Sequence, residues 1–283
     1  MLHLLERVRV LTDPHRYERL IHIDVIGRRR PRLNPVDVDQ YLQRIGYAGP
    51  TEPSLETLAA LQYAHLTTVP FENLDVVHGV AEMRTSLDWS VPKVVERGRG
   101  GWCFELNGAF SALLTALGFD VLRLGAAVLL GGPSKVIDHL TIEVALDQPY
   151  LVDVGFGESF TQPLLLNSRT SQDGGSGDYQ FFDSSEGLTL TKLDGDIPTP
   201  QYRFRRVGHE LTDFEAASVE LRTNPELHWS NKPFATRLLG VGTDRVTLLK
   251  DRLKLTTAGK TTQTPVDEAS WDAELSRWFG ITP

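Results

Sequence analysis

The chain has 283 residues, 41% of them hydrophobic and 23% charged, an ordinary globular composition with ample apolar material for a core. Its 29 Lys and Arg against 37 Asp and Glu give a net charge of −8, which argues against nucleic-acid binding and a membrane-surface role, since both want a basic footprint. No uncharged apolar run reaches the ~18 residues of a membrane span, and Glu6, Arg7, Arg9 and Asp13 interrupt any secretory core near the start.

Residues 1–34 carry eight Arg against four acids and read as a basic extension. Asn34-Pro35 marks a boundary, and a helical domain is expected over 35–120. A short helix runs from Val38 through Tyr41 and Ile45 and ends at Gly46-Tyr47. Pro53-Ser54 opens a second, with Leu55, Leu58, Leu61 and His65 at three- and four-residue steps. A loop holding Val69 to Asp75 follows. After Gly98 to Gly101 comes the clearest helix, Cys103 to Leu117, with Leu106, Ala109, Phe110, Leu113, Leu114 and Leu117 as its apolar stripe and Gly118 as its cap.

The texture then turns to strands over 121–208, expected as an antiparallel, β-barrel-like domain. Val121–Leu130, His139–Leu146 and Tyr150–Val154 come first, a flexible loop spans 167–178, and strands follow at 188–193 and 201–207. Residues 209–283 mix a helix near 210–221, strand-like Val246–Lys250 and Leu253–Thr257, and a last helix from Pro265 to Phe279. Helices, then strands, then a mixed tail define an α+β chain without a βαβ rhythm. Rossmann and Walker A signatures are absent.

One cysteine cannot form an intramolecular disulfide and leaves a four-ligand zinc site without its usual donors. The expected setting is the reducing cytoplasm, with no metal. Cys103 stands at a helix start, behind Arg99-Gly100-Gly101-Trp102, where free amides and the helix dipole favour an anion. The two glycines let a substrate carbonyl approach, and the turn's amides could serve as oxyanion donors. A buried structural cysteine is the plain alternative.

His139 begins a strand whose Leu140, Ile142, Val144 and Leu146 share the apolar face, so His139, Thr141 and Glu143 point the other way, toward a cleft or solvent. Asp153 lies inside the apolar run Tyr-Leu-Val-Asp-Val, where a carboxylate needs a partner. Cys, His and Asp supply a nucleophile, a base and an orienting group. Periodicity leaves their contact open. A two-residue turn at Asp147-Gln148 sets His139 and Asp153 on opposite faces, and a three-residue turn restores the face but not the contact.

Arg99-Gly100-Gly101-Trp102-Cys103-Phe104-Glu105-Leu106-Asn107 resembles the active-site motif of the arylamine N-acetyltransferases. Val69 to Asp75, Asp138-His139-Leu140, Val152 to Gly157 and Asn224 to Phe234 resemble further family segments in the same order, so the resemblance covers roughly 37–283. It implies an N-terminal helical bundle, a central barrel-like domain and an α/β lid over 209–283. It also implies Cys103 as the acetyl-accepting nucleophile, His139 as the base and Asp153 as its orienting partner. Acetyl-CoA would be the donor co-substrate, and an arylamine, arylhydrazine or N-hydroxyarylamine the acceptor, in ping-pong order. Phe71, Thr141, Phe156, Gly157 and Phe234 match acceptor-pocket positions, and Lys232 and Arg237 are candidates for CoA phosphates. Expected partners are thus small aromatic amines or hydrazines, without nucleic acid or membrane, and with a homodimer as a possible assembly. The alternatives are an amide synthase acting on a carrier-bound polyketide chain, an enzyme preferring another short acyl-CoA, and a binding protein that keeps the fold.

Overall fold

Asp37 and Ser54 start the first two helices, α1 (Val38–Arg44) and α2 (Leu55–Thr68), by accepting hydrogen bonds from the amides of Gln40 and Thr57. The structure is a computed structural model that describes residues 36–132, 136–194, 197–227, 230–240 and 242–282. The basic segment 1–34 lies outside the described residues. The stretch 69–75, read as a loop, contains the short strand β1 (Phe71–Glu72) and the single-turn helix α3 (Leu74–Val77). A further helix, α4 (Leu87–Val95), has no counterpart in the sequence reading, because Pro92 sits inside it and breaks the expected pattern.

The central helix is α5 (Cys103–Ala116). Every residue from Cys103 to Leu114 is buried, not the apolar stripe alone, because α4 packs on one side and the barrel sheet on another. Burying each Leu or Phe here contributes about 1.5–3 kcal/mol relative to exposure.

Eight antiparallel strands then form one sheet in the order β5-β4-β3-β2-β9-β8-β7-β6. They are β2 (Asp120–Val128), β3 (His139–Ala145), β4 (Pro149–Val152), β5 (Leu164–Leu165), β6 (Gln172–Asp173), β7 (Asp178–Ser184), β8 (Gly187–Asp194) and β9 (Ile197–Gly208). The segment expected to be a flexible loop is therefore ordered in part, as β6 pairs with the start of β7. The two end strands meet through one side chain: Gln172 accepts from the Leu165 amide at 2.7 Å and donates to the Leu165 carbonyl at 3.1 Å. An amide side chain thus replaces the missing backbone ladder and brings the sheet close to a barrel.

A 3-10 turn (Leu211–Phe214) leads into α6 (Glu215–Thr223). The last sheet runs β1-β10-β11-β12-β13, with β10 (Ala235–Leu238), β11 (Arg245–Leu248), β12 (Arg252–Thr257) and β13 (Lys260–Pro265). Its edge strand β1 comes from the helical region, pairing Phe71 with Thr236. Pro265 closes β13 instead of opening a helix. The last helix, α7 (Glu268–Phe279), begins after the Asp267 cap and stops at Gly280, whose φ of +68° is left-handed.

Three apolar cores follow this division. One joins the helices to Leu140, Ile142 and Val144 of β3, a second fills the barrel with Phe160, Tyr179, Phe181 and Phe204, and a third lies between the last sheet and α7. The face of β3 opposite the helices is buried as well. Thr141 is fully buried, His139 faces the cavity described below, and Glu143 is nearly covered and ion-paired with the exposed Arg206.

Candidate active site

Cys103 is the first residue of α5 and is 8% exposed. The turn before it is crowded: a Cβ on Gly100 would fall onto the Pro70 carbonyl oxygen, and one on Gly101 would lie 2.5 Å from Glu105 Oε2. Glu105, in the first turn of α5, accepts the Trp102 amide hydrogen at 3.1 Å. The Gly101 amide donates to the Pro70 carbonyl at 3.3 Å. These two amides are spent inside the turn and are not oxyanion donors.

Beneath the turn lies a buried charge cluster. Lys93, 1% exposed, sits 2.9 Å from Glu105 and 2.8 Å from Asp75, while Arg99 reaches Glu72 at 2.7 Å and Asp75 at 3.0 Å. Glu105 also accepts from Trp89 Nε1 at 2.5 Å. Burial pushes the Glu105 carboxyl above its ordinary range even so, with Lys93 opposing the shift. Burial opposes the charge on Lys93 too, but Glu105, Glu72 and Asp75 outweigh it and hold the ammonium well above its usual range. The cluster fixes α3, α4 and the loop ahead of Cys103 to one another.

His139 is 2% exposed at the start of β3, its ring packed against those of Phe156 and Tyr202 at 5.0 and 4.9 Å between centroids. Its Nε2 lies 2.7 Å from Asp153 Oδ2, and the Cys103 thiol, which lines the same cavity, donates toward the Asp138 carbonyl at 3.9 Å. Asp153 Oδ2 also accepts from the Tyr202 hydroxyl at 3.0 Å, and its Oδ1 accepts from Asn107 Nδ2 at 2.8 Å and the Gly155 amide at 2.9 Å. Four donors thus surround one buried carboxylate. Burial raises the Asp153 pKa and His139 lowers it, helped by Asn107 and Gly155, for a net fall. For His139, burial disfavours the charged ring, but Asp153 and then Cys103 outweigh it and raise the pKa to about 10.

The His139–Asp153 contact is diagonal. β3 and β4 are joined across Leu146, Asp147 and Gln148, with Ala145 opposite Pro149 and Ile142 opposite Val152. That register puts both side chains on one face, and the chain leaves the ladder after Val152. The sequence expectation that a three-residue turn restores the face without the contact is corrected here: a diagonal pair lies within reach of a long side chain.

A cavity of about 420 Å³ opens over Cys103 and His139. Of the residues expected to bind acceptor, Phe71 and Phe156 line it. Phe234 stands behind Phe71, ring centroids 5.6 Å apart, Thr141 is buried in the barrel with its hydroxyl 3.3 Å from the Tyr202 hydroxyl, and Gly157 takes a left-handed φ of +85° beside Phe71; these three are not in the lining. Sequence reasoning did not single out Trp102, Val128, Leu130, Leu221, Leu227 and Glu158 as part of the wall. It also gave no role to Asn107 or Tyr202. Asn107 follows Cys103 by one helical turn, a spacing that marks it; Tyr202 has no local signal, since it arrives from β9. Arg237 is turned inward, donating to the carbonyls of Thr67 and Trp278, while Lys232 is exposed.

Among the described residues no group of His, Cys, Asp and Glu is arranged to hold a metal ion, and no helix is long and apolar enough to cross a membrane.

A cysteine at a helix head, an ion-paired histidine and an open cavity are equipment for group transfer through sulfur. A family model described as N-acetyltransferase matches residues 54–282 and places the chain among the acyltransferases. An arylamine N-acetyltransferase of Mycolicibacterium smegmatis is 34% identical over 87% of this chain and 92% of its own length. The Mycobacterium marinum arylamine N-acetyltransferase in complex with CoA superposes with a TM-score of 0.79 at 32% identity, covering 87% of this chain and 93% of that one. A Bacillus cereus arylamine N-acetyltransferase with a Cys-His-Glu catalytic triad superposes at 0.78 and 25% identity, over 88% of this chain and 100% of that one. The chain belongs to the arylamine N-acetyltransferase family.

Proposed function

We propose that this enzyme moves an acetyl group from acetyl-CoA to a small aromatic amine or hydrazine in two half-reactions, with Cys103 as carrier, His139 as acid and base, and Asp153 as the group that orients His139. The observation that carries the reading is the 2.7 Å ion pair of His139 and Asp153 beside a cysteine at the head of α5, open to a cavity. With its pKa raised to about 10, His139 keeps a proton at neutral pH and can give it to a departing sulfur.

In the first half-reaction the Cys103 thiolate attacks the acetyl carbonyl. A carbon–sulfur bond forms, the bond to the CoA sulfur breaks, and CoA leaves with the His139 proton. In the second, the amine nitrogen attacks the thioester and gives its proton to His139, and the Cys103 thiolate departs. The largely apolar wall excludes water from the thioester between the two steps. Support for CoA comes from the relative solved with it, and the lone cysteine suits a cytoplasmic setting.

Intact-protein mass spectrometry after brief mixing with acetyl-CoA tests the reading. One acetyl group is expected on the wild type, none on Cys103→Ser, and the adduct should vanish on adding a simple arylamine. A wild-type chain that takes no acetyl group overturns the donor assignment, and acyl-carrier thioesters would be tried next.

A further inference from the structure

Outside the Cys103–His139–Asp153 group, the described residues that line the cavity over Cys103 carry charge of one sign. Apart from Cys103 and His139, the ionisable residues among its described lining are Asp138 and Glu158, both acids. They come from different elements: Asp138 precedes β3, and Glu158 lies on the loop after β4. Asp138 is tethered, accepting the Val128 amide hydrogen at 2.8 Å. Glu158 is exposed and, among the described residues, makes no ion pair within 4.0 Å. Arg245 of β11, 8% exposed, feels the Glu158 charge, but its guanidinium donates to Thr236 Oγ1 at 3.3 Å and is outside the lining. The other described residues of the wall, including Phe71, Trp102, Phe156, Val128 and Leu130, offer no cationic group.

We propose that Glu158, with Asp138 beside it, makes the acceptor pocket select by charge, taking neutral or cationic aryl amines and hydrazines and rejecting those that carry a carboxylate. This rests on the acetyl-transfer reading above. The physics is one of unmatched desolvation. An anionic acceptor would give up water for a largely apolar wall whose described residues beyond His139 add no cation, and would meet two like charges at its rim, partly screened by solvent. A cationic acceptor loses the same water but gains an attractive partner. A neutral ring meets neither effect, which makes it the reference. Selectivity is then a difference between acceptors of one shape, set by repulsion as much as by attraction.

The test compares kcat/KM for three amines of similar size: 4-methylaniline, 4-aminobenzoate and 4-amino-N,N,N-trimethylanilinium. Their intrinsic nucleophilicities differ, so the readout is how each ratio to 4-methylaniline changes between enzymes. In Glu158→Gln the 4-aminobenzoate ratio should rise about tenfold and the trimethylanilinium ratio should fall several-fold. Glu158→Asp, which keeps the charge, should restore both ratios. A shift under about twofold in Glu158→Gln, or Glu158→Asp behaving like Glu158→Gln, overturns the proposal. Calorimetric binding of the same amines to the wild type reads selectivity without turnover. A chain that binds 4-methylaniline more tightly than 4-aminobenzoate but acetylates nothing would sink the acetyl-transfer reading alone; equal affinities would sink charge selection.

Discussion

Asn107 donates to Asp153 at 2.8 Å, a contact that helps join the nucleophile helix to the chain just after β4. Asn107 Oδ1 accepts from the Val154 amide at 2.9 Å, and its Nδ2 also donates to the Leu140 carbonyl at 2.5 Å. One side chain thus ties α5 to both β3 and the residues after β4. Cys103 sits one turn earlier on the same helix, so whatever holds Asn107 also sets the distance from sulfur to His139.

Replacing Asp153 by Asn keeps the shape and removes the charge. His139 then loses the cause of its raised pKa, and kcat should fall about a hundredfold or more. The effect on stability has a definite sign. A pKa raised to about 10 from the ordinary 6.5 adds stability that is complete below about pH 6.5 and fades as pH rises toward 10. Melting temperatures should therefore drop more steeply between pH 7 and 10 for the wild type than for Asp153→Asn, which differential scanning fluorimetry will show.

Tyr202→Phe removes the hydroxyl that donates to Asp153 at 3.0 Å and leaves the ring beside His139 in place. The expected loss is about 1 kcal/mol in chemical denaturation, with a several-fold fall in kcat and little change in KM.

Lys93→Met strands three carboxylates in the interior, those of Glu72, Asp75 and Glu105, with only Arg99 to balance them. A loss of about 3–5 kcal/mol is expected. Adding Glu105→Gln should return part of it, because the removed charge is the one that burial already disfavours. A denaturation double-mutant cycle measures this coupling; strict additivity would contradict it.

Gly155→Ala tests how tightly the site is closed. A Cβ there would lie 2.7 Å from Asn107 Nδ2 and 2.8 Å from Cys103 Cα, so α5 must move away from the strand. A cost of about 1–3 kcal/mol is expected, with a loss of acetyl transfer larger than that of thermal stability.

Cys103, His139 and Asp153 were legible because each breaks a local rule: a thiol at a helix head, a histidine opening an apolar strand, a carboxylate inside one. Their contact was not, because it is diagonal and depends on where β4 leaves the ladder, a matter of three-dimensional register. The helix α4 was hidden by Pro92, and β1 by its length of two residues, since it exists only through pairing with β10. Tyr202 was invisible for a related reason: it reaches Asp153 from β9, after the chain has built most of the barrel. Interior position also misled the reading of Thr141 and Glu143. Alternation assigned them a face, but only the closed sheet decides that this face is dry.

Nothing near Cys103 in sequence carries the histidine or its carboxylate partner; His139 arrives on β3 and Asp153 just after β4. A chain still emerging from the ribosome, or one partly unfolded, therefore carries an unremarkable thiol. The rate at which a small alkylating reagent labels Cys103 should rise as the barrel docks on α5, and a destabilised variant should lose that heightened labelling before it loses helical signal. The enzyme's one cysteine is thus a built-in reporter of its own tertiary assembly, readable with a reagent and a mass spectrometer.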